Sequence, residues 1–198
     1  MRRPARKPTG RAEMPGAQPE DVAGRVCRTS QNKIVGLSEL VPTLERRRAR
    51  GLRAAFTNGC FDLLHAGHVE SLEFARAQAD LLIVGLNDDA SVRQLKGESR
   101  PVYPAGDRAR ILAALEAVDY VVIFGGPRAE EIIRAVRPDV LVKGQDWEGK
   151  TVDGAAFVQS YGGRVVLARL LEGRATSRTI QRLALGSAAE NQRGGGPK

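Results

Sequence analysis

The amino-acid sequence predicts a doubly wound, Rossmann-like α/β fold with a five-stranded parallel sheet in a single domain. Five short apolar runs alternate with stretches of helical periodicity, and this succession is typical of repeated βαβ units. Each run is apolar throughout rather than at every second position, which indicates strands buried on both faces. The runs occupy residues 53–57, 81–86, 119–124, 139–143 and 164–168.

The predicted helices fill the intervals between these runs. A first helix is expected to begin with Ser38 as its N-cap and to stop at Gly51. The following helices are expected at about 68–79, 88–95, 105–117, 128–136 and 151–161, with a last helix after Thr176. The folded domain is expected to span residues 32–186 of the 198, a length that suits one sizeable core.

The two ends of the chain differ in composition from this body. Residues 1–31 hold seven Arg or Lys against three acids, are rich in Pro and Gly, and are expected to form a disordered basic leader. Residues 187–198 end in a Gly-rich stretch and are expected to form a disordered tail. Because half of the net charge of +8 lies in the leader, no nucleic-acid partner is expected. A non-catalytic module that binds nucleic acid through the leader is the alternative.

Hydropathy and cysteine usage limit the cellular setting. No apolar run approaches the roughly 20 residues needed to cross a bilayer, and the start of the chain lacks the apolar region of a signal peptide. Cys27 and Cys60 lie in different contexts and indicate neither a disulfide framework nor a zinc site. The sequence therefore predicts a cytoplasmic protein with no membrane partner.

The only two histidines of the chain, His65 and His68, lie three residues apart just after the first apolar run. A strand-to-helix turn exposes backbone N–H groups, and the helix dipole favours anions there. Each imidazole can also donate a hydrogen bond to a polyphosphate. The pair therefore favours phosphate chemistry, although one structural histidine beside a bystander is the simpler alternative.

Polar or Gly-containing segments follow the other runs. In a parallel α/β sheet, ligands bind beyond the carboxyl ends of the strands, so these segments are the candidate site. Asn87 follows the second run, Lys143 to Trp147 the fourth, and Thr176 with Ser177 comes after the fifth. The loop after the helix predicted at 88–95 carries Lys96 and Arg100. Simpler interpretations exist for some of them, since Asp146 can cap a turn and Thr176 or Ser177 can cap the final helix.

Taken together, these segments resemble the cytidylyltransferase-like nucleotidyltransferases. The resemblance rests on residues 56–62, the His-Ala-Gly-His element at 65–68, and residues 95–97, 100–102, 107–108, 142–146 and 173–177. Within that superfamily the chain looks most like the adenylyltransferase domain of ADP-heptose synthesis. That domain adenylates D-glycero-β-D-manno-heptose 1-phosphate, and the similarity covers about residues 32–186.

The resemblance implies a reaction and a set of site residues. A phosphate monoester oxygen attacks the α-phosphorus of ATP and pyrophosphate leaves, so catalysis requires positioning and charge neutralisation rather than a general base. The implied catalytic residues are His65, His68 and Lys96, and the implied acceptor-binding residues are Lys96, Arg100 and Arg108. The implied ATP-binding residues are Thr57, Asn58, Gly59, Phe61, Asp62, Gly67, Asn87, Lys143, Gly144, Asp146, Thr176 and Ser177. Asp62 is implied either to order its loop or to lie near the metal.

The resemblance also implies partners. Mg²⁺ is expected to be bound by the ATP phosphates, with no metal ligands from the protein. A homodimer is expected, with exposed apolar positions on the first helix and around Tyr120 as its contact. The chain has Ala-Thr-Ser at 175–177 where the family more often has Ser-Thr-Thr, and residues 146–150 are similar to glycerol-3-phosphate cytidylyltransferases. A cytidylyltransferase of that kind, or an FAD synthetase-like enzyme, is therefore the alternative function.

Overall fold

The computed structural model of the protein describes residues 29–126 and 128–168. It contains a five-stranded sheet in which every strand pair is parallel, in the order β3-β2-β1-β4-β5. The strands are β1 (Ala54–Gly59), β2 (Leu81–Asn87), β3 (Tyr120–Phe124), β4 (Val140–Gly144) and β5 (Arg164–Ala168). The predicted fold class is confirmed. Residues 1–28 of the expected leader at 1–31 fall outside the described residues, as do Thr176, Ser177, the helix expected after them and the tail at 187–198. The end of the expected leader is ordered, because Ser30 and Gln31 belong to a 3-10 turn at Ser30–Lys33.

The strand order places the candidate site. From β1 the chain builds outward through β2 and β3, and then returns to the other side of β1 to form β4 and β5. The reversal lies between β1 and β4, where Ala55 pairs with Val140 and Phe56 with Leu141. Ligands of doubly wound sheets bind at this switch point, beyond the carboxyl ends of the strands. Residues 58–59 and 143–144 therefore lie side by side at the expected binding crevice.

Six α-helices connect and cover the strands in the described part of the chain. They are α1 (Leu37–Arg48), α2 (Ala66–Arg76), α3 (Asp89–Lys96), α4 (Ala105–Ala114), α5 (Glu130–Val136) and α6 (Ala155–Ser160), with short 3-10 turns at Ser30–Lys33 and Gln145–Trp147. The prediction of Ser38 as the first N-cap is wrong, because Gly36 is the N-cap and Ser38 lies inside α1. The physical reason is tertiary: Ile34 bridges to Val121 of β3, and the chain enters the helix directly from this bridge.

The sheet is buried on both faces, as the uniformly apolar strands predict. One core includes Ala55, Val84 and Leu112 and packs beneath α2 and α4. The other includes Phe56, Ile83 and Leu44 and packs beneath α1 and α5. Gly85 permits one tight contact here, since a Cβ on Gly85 would lie 2.7 Å from the Phe56 ring.

Two further expectations concern surfaces. Within residues 29–126 and 128–168, no helix combines the length and the apolar character that crossing a membrane requires. Ile123, in the same strand as Tyr120, is 40% exposed, but the expected apolar contact is wrong for Tyr120 itself, which is 5% exposed, and for Leu40 and Leu44 of the first helix, which are each 1% exposed. These side chains pack into the core between α1 and the sheet. The large apolar residues with the greatest exposure in the described chain are Leu95, Val102, Tyr103, Ile111 and Ile123.

Candidate active site

The two histidines form one unit at the start of α2. His65 is the N-cap residue of α2 and His68 lies in its first turn. The two imidazole rings stack with their centroids 3.9 Å apart and an interplanar angle of 25°. The backbone N–H of His65 donates to Nδ1 of His68 at 3.3 Å, and the ring of Phe61 lies 5.4 Å from the ring of His68. Both histidines therefore lie at the helix N-terminus, where the dipole favours an anion.

His68 is a neutral hydrogen-bond donor at physiological pH. Burial, together with the nearby His65, lowers its pKa from 6.5 to about 4. Because Nδ1 accepts a hydrogen bond from the backbone, the single proton of the neutral ring belongs on Nε2. The arrangement thus presents an N–H group whose protonation does not change between pH 6 and 8.

A second polar cluster joins the ends of β1 and β4. Lys143 is only 4% exposed, and its Nζ donates to Oδ1 of Asn58 at 2.5 Å. The same Nζ lies 4.8 Å from the centroid of the Trp147 ring, within the range of a cation–π interaction. Burial lowers the pKa of Lys143 to about 8, although Asp153 and Asp146 oppose the shift. A cation is therefore held at the switch point of the sheet.

Asp62 ties the loop after α3 to the loop that carries the histidines. Its side chain is buried and forms an ion pair with Arg100. Its Oδ1 accepts from the backbone N–H of Val102 at 2.7 Å and of Tyr103 at 3.4 Å. Of the two roles that the resemblance implies for Asp62, the contacts in the structure correspond to ordering the loop.

Arg108 lies inside the protein rather than at its surface. It is 1% exposed, and each of its three guanidinium nitrogens donates to a protein oxygen. The acceptors are the carbonyl oxygens of Cys60 and Tyr103 and the carboxylate of Asp89. This geometry favours a supporting role over the direct contact with the acceptor that the resemblance implies.

The remaining predicted residues differ in exposure. Lys96 is exposed at the end of α3, just before Gly97, whose φ is +98°. Its charge is close enough to Cys60 to oppose the rise in the Cys60 thiol pKa that burial causes. Asn87, by contrast, is 3% exposed at the end of β2, and its amide donates to the carbonyl of Gly126 at 3.4 Å.

The structure gathers most of the predicted residues at one edge of the sheet. The residues at or just beyond the carboxyl ends of β1, β2 and β4 are Thr57, Asn58, Gly59, Phe61, Asp62, His65, Gly67, His68, Asn87, Lys143, Gly144 and Asp146. Of two further residues with site contacts, Asp89 was not named as a site residue from the sequence, and Trp147 was named only as the end of the candidate segment at 143–147. Trp147 is the only tryptophan of the chain and follows a strand, so it offered a sequence clue, whereas Asp89 is one of many acids in a helix. An open groove of about 500 Å³ beside α6 is lined by Arg134, Asp153 and Phe157, and no predicted site residue lines it.

Parallel strands, a histidine pair at a helix N-terminus and a buried lysine at the switch point define the class: a Rossmann-like α/β domain equipped to bind phosphorylated ligands. The family model described as cytidylyltransferase-like matches residues 56–169. The chain belongs to this cytidylyltransferase-like family, which confirms the resemblance seen in its motifs.

Curated relatives are similar over most of this chain. The bifunctional protein HldE of Acidiphilium cryptum is 52% identical over 169 residues, which are 84% of this chain and 35% of that protein. The bifunctional protein HldE of Pelobacter propionicus is 51% identical over 154 residues, which are 78% of this chain and 32% of that protein. The chain thus spans about a third of the length of these relatives.

Two solved structures share the fold at low sequence identity. The lipopolysaccharide core biosynthesis protein from Thermoplasma volcanium has a TM-score of 0.52 at 22% identity, covering 63% of this chain and all of that one. The pantoate-beta-alanine ligase from Francisella tularensis, solved in complex with beta-gamma ATP and β-alanine, has a TM-score of 0.52 at 14% identity. That similarity covers 73% of this chain and 68% of the ligase, and both likenesses concern the fold alone.

Proposed function

We propose that this protein transfers AMP from ATP to a sugar 1-phosphate, with D-glycero-β-D-manno-heptose 1-phosphate as the acceptor and ADP-heptose and pyrophosphate as products. The observation that carries the proposal is the histidine stack at the start of α2, with His68 held as a neutral N–H donor. Identity of about half with the HldE proteins of Acidiphilium cryptum and Pelobacter propionicus supports the acceptor.

The proposed chemistry is an in-line displacement. An oxygen of the sugar phosphate forms a bond to the α-phosphorus of ATP while the bond from that phosphorus to the oxygen bridging the α and β positions breaks. The attacking monoester is already anionic at neutral pH, so no group need remove a proton. His65 and His68 donate hydrogen bonds to the α-phosphate and stabilise the charge that develops there, aided by the α2 N-terminus.

The cations around this centre have separate proposed roles. Lys96, exposed and hydrogen-bonded to no described group, draws the two anionic reactants together. Arg100 binds the acceptor while Asp62 orients its guanidinium, and Arg108 supports the same loop from inside the fold. Thr176 and Ser177 are proposed to bind the β- and γ-phosphates.

The rest of the ATP site is proposed to follow the strand ends. Lys143, oriented by Asn58, faces the nucleotide at the switch point together with Gly144 and Asp146. The remaining proposed ATP-binding residues are Thr57, Gly59, Phe61, Asp62, Gly67 and Asn87. Mg²⁺ enters with the ATP phosphates and keeps most of its waters. This fits Asp62, whose carboxylate is already bound by Arg100 and two backbone N–H groups.

A pyrophosphate-release panel tests the proposal. ATP and CTP are each combined with heptose 1-phosphate, glycerol 3-phosphate and FMN. We expect release only with ATP and heptose 1-phosphate. Release with CTP and glycerol 3-phosphate would identify the cytidylyltransferase alternative, and release with ATP and FMN the FAD synthetase-like one.

We also propose a cytoplasmic homodimer. ATP and sugar phosphates are cytoplasmic metabolites, and the family resemblance implies a dimer. Exposed apolar residues at the end of α3, in the loop that follows it and in α4 offer a contact surface, namely Leu95, Val102, Tyr103 and Ile111. Light scattering coupled to size exclusion is expected to give twice the chain mass for the wild type and the chain mass for Ile111→Glu.

A further inference from the structure

We propose that Arg108 and Asp89 are positioning residues for the histidine pair. They hold the turn between β1 and α2 in place through the carbonyl group of Cys60. The position of that turn determines where His65 and His68 lie. The kinetic part of this inference rests on the proposed function, whereas its structural part does not.

Arg108 joins three segments that are distant in sequence. From α4 its guanidinium donates to the Cys60 carbonyl at 2.5 Å, to the Tyr103 carbonyl at 2.9 Å and to the Asp89 carboxylate at 2.7 Å. The rigid planar fork of arginine makes these bonds interdependent, because moving one donor moves the others. The turn after β1, the loop before α4 and the start of α3 are thereby held in one arrangement.

Asp89 determines the orientation of this fork. A buried guanidinium needs a charged partner, and Asp89 forms the ion pair with Arg108. The position of Asp89 is itself well defined, because the first turn of α3 is stabilised by an N-cap. The preceding residue, Asp88, caps the helix by accepting from the backbone N–H of Ser91 at 2.7 Å. The carboxylate of Asp89 is therefore presented from a fixed helical turn.

The turn that Arg108 holds has an uncommon backbone. Phe61, which directly follows Cys60, has a φ of +42°, a conformation that bulky residues adopt only where the surroundings enforce it. The ring of Phe61 contacts that of His68, with centroids 5.4 Å apart. A continuous path thus runs from Arg108 to the Cys60 carbonyl, to the Phe61 backbone and ring, and to His68.

Asp62 provides a second tie between the same two loops. The backbone N–H of Tyr103 donates to Asp62, and the carbonyl of Tyr103 accepts from Arg108. Both the backbone N–H and the carbonyl group of Tyr103 are therefore held by hydrogen bonds. With Asp62 holding the loop from one direction, Arg108 and Asp89 set the position of Cys60 and hence of the turn.

The two histidines provide a direct readout that does not depend on catalysis. Because the full chain contains only two imidazoles, NMR of histidine-labelled protein follows each ring through a pH titration. The wild type is expected to show His68 titrating near pH 4. In Asp89→Asn and Arg108→Gln the turn loosens and the ring gains solvent, so its pKa is expected to rise toward the ordinary value of about 6.5.

The kinetic readout separates positioning from binding. We expect kcat for pyrophosphate release to fall by about 10- to 100-fold in both variants, with the KM for ATP changed less than about threefold, because misplaced donors impair the transition state more than ground-state binding. Arg108→Lys is expected not to rescue, since a single ammonium cannot reproduce the three-way fork. Asp89→Glu is expected to recover part of the loss.

Arg48 offers a matched control. Its guanidinium donates to the carbonyls of Val136 and Arg137 at 2.6 and 2.8 Å, joining α1 to the end of α5, away from the histidines. Arg48→Gln is expected to lower Tm without changing the His68 titration or kcat. If Asp89→Asn and Arg108→Gln behave like Arg48→Gln, the positioning role is overturned.

The test still decides the question if a variant does not fold or if the wild type is inactive. If Arg108→Gln does not fold, Asp89→Asn, which keeps the side-chain shape and removes only the charge, decides the question. If the wild type releases no pyrophosphate with any acceptor of the panel, the proposed function fails, and the NMR titration alone supports or overturns the positioning role.

Discussion

The rings of His65 and His68 stack at 3.9 Å, and the backbone N–H of His65 donates to Nδ1 of His68. This single hydrogen bond determines which nitrogen of His68 carries the proton, and so which atom is available to a ligand. Burial, with a smaller contribution from the neighbouring His65, also disfavours the charged form of His68. These contacts support the proposed role of the pair, which is to donate hydrogen bonds to phosphate rather than to transfer protons.

Replacing either histidine is expected to impair turnover strongly. His65→Ala and His68→Ala each remove a donor aimed at developing charge, and loss of one such donor typically costs about 10²- to 10³-fold in kcat. Steady-state pyrophosphate release measures the effect. Turnover within a few-fold of wild type in both variants would contradict the assigned roles, provided that circular dichroism shows both to be folded.

The stability of the protein is expected to fall as the pH drops from 6.5 toward 4. His68 has a pKa of about 4 in the folded chain and about 6.5 when unfolded, so the unfolded state binds more protons in this window. The His68 contribution is complete well above pH 6.5 and decreases by about 3 kcal/mol on acidification below pH 4.

Urea denaturation of wild type and His68→Gln at several pH values isolates this contribution. The difference in unfolding free energy between the two proteins is expected to change between pH 6.5 and 4 and to stay constant between pH 7 and 8. A difference that is flat across the whole range would show that His68 is not kept neutral by the fold.

Asp62→Asn is expected to destabilise the fold and loosen the loop after α3. The substitution leaves Arg100 without its anionic partner, and breaking a buried ion pair costs about 3 kcal/mol. Urea denaturation measures the loss, and hydrogen exchange at Val102 and Tyr103 reports the loop. The matched control is Glu130→Gln, which removes an exposed pair with Arg134 and is expected to cost less than about 0.5 kcal/mol.

Lys143→Met is expected to stabilise the fold while weakening the binding of ATP. The folded chain lowers the pKa of Lys143 from 10.5 to about 8, so the unfolded state binds more protons between these values and stability rises with pH there. Removing the buried charge is expected to raise stability at pH 7 by about 1 kcal/mol while raising the KM for ATP. Lys150→Met, at an exposed position, serves as the control and should change neither quantity.

The sequence predicted well those elements whose formation depends on residues close together in the chain. The strand from Leu81 to Asn87 is buried at every position, and such strands are necessarily continuous apolar runs. The histidine pair could be located for the same reason, because residues that follow an apolar strand in a parallel sheet lie at its ligand-binding edge. Predicted helix ends were less accurate, as at Ser38, because the start of α1 depends on a bridge to β3.

The roles of individual charged residues could not be read in the same way. Arg108 follows an aspartate in a predicted helix and gives no sign in the sequence of being buried. Its partners Asp89 and Cys60 are 19 and 48 residues away, and Asp62 is separated from Arg100 by 38 residues. They meet because β1 and β2 are parallel neighbours and the segments that follow both strands emerge at the same edge of the sheet.

By itself, therefore, the sequence determined the parallel sheet and the edge at which the predicted site residues gather, and it led to the proposed phosphate chemistry of the two histidines. These follow from hydrophobic burial and strand polarity, which act over a few residues at a time. The tertiary structure alone decided which cations are exposed and which are buried among protein oxygens. That distinction depends on whether a guanidinium is surrounded by protein oxygens or by solvent, and the answer comes from segments that meet only when the chain has folded.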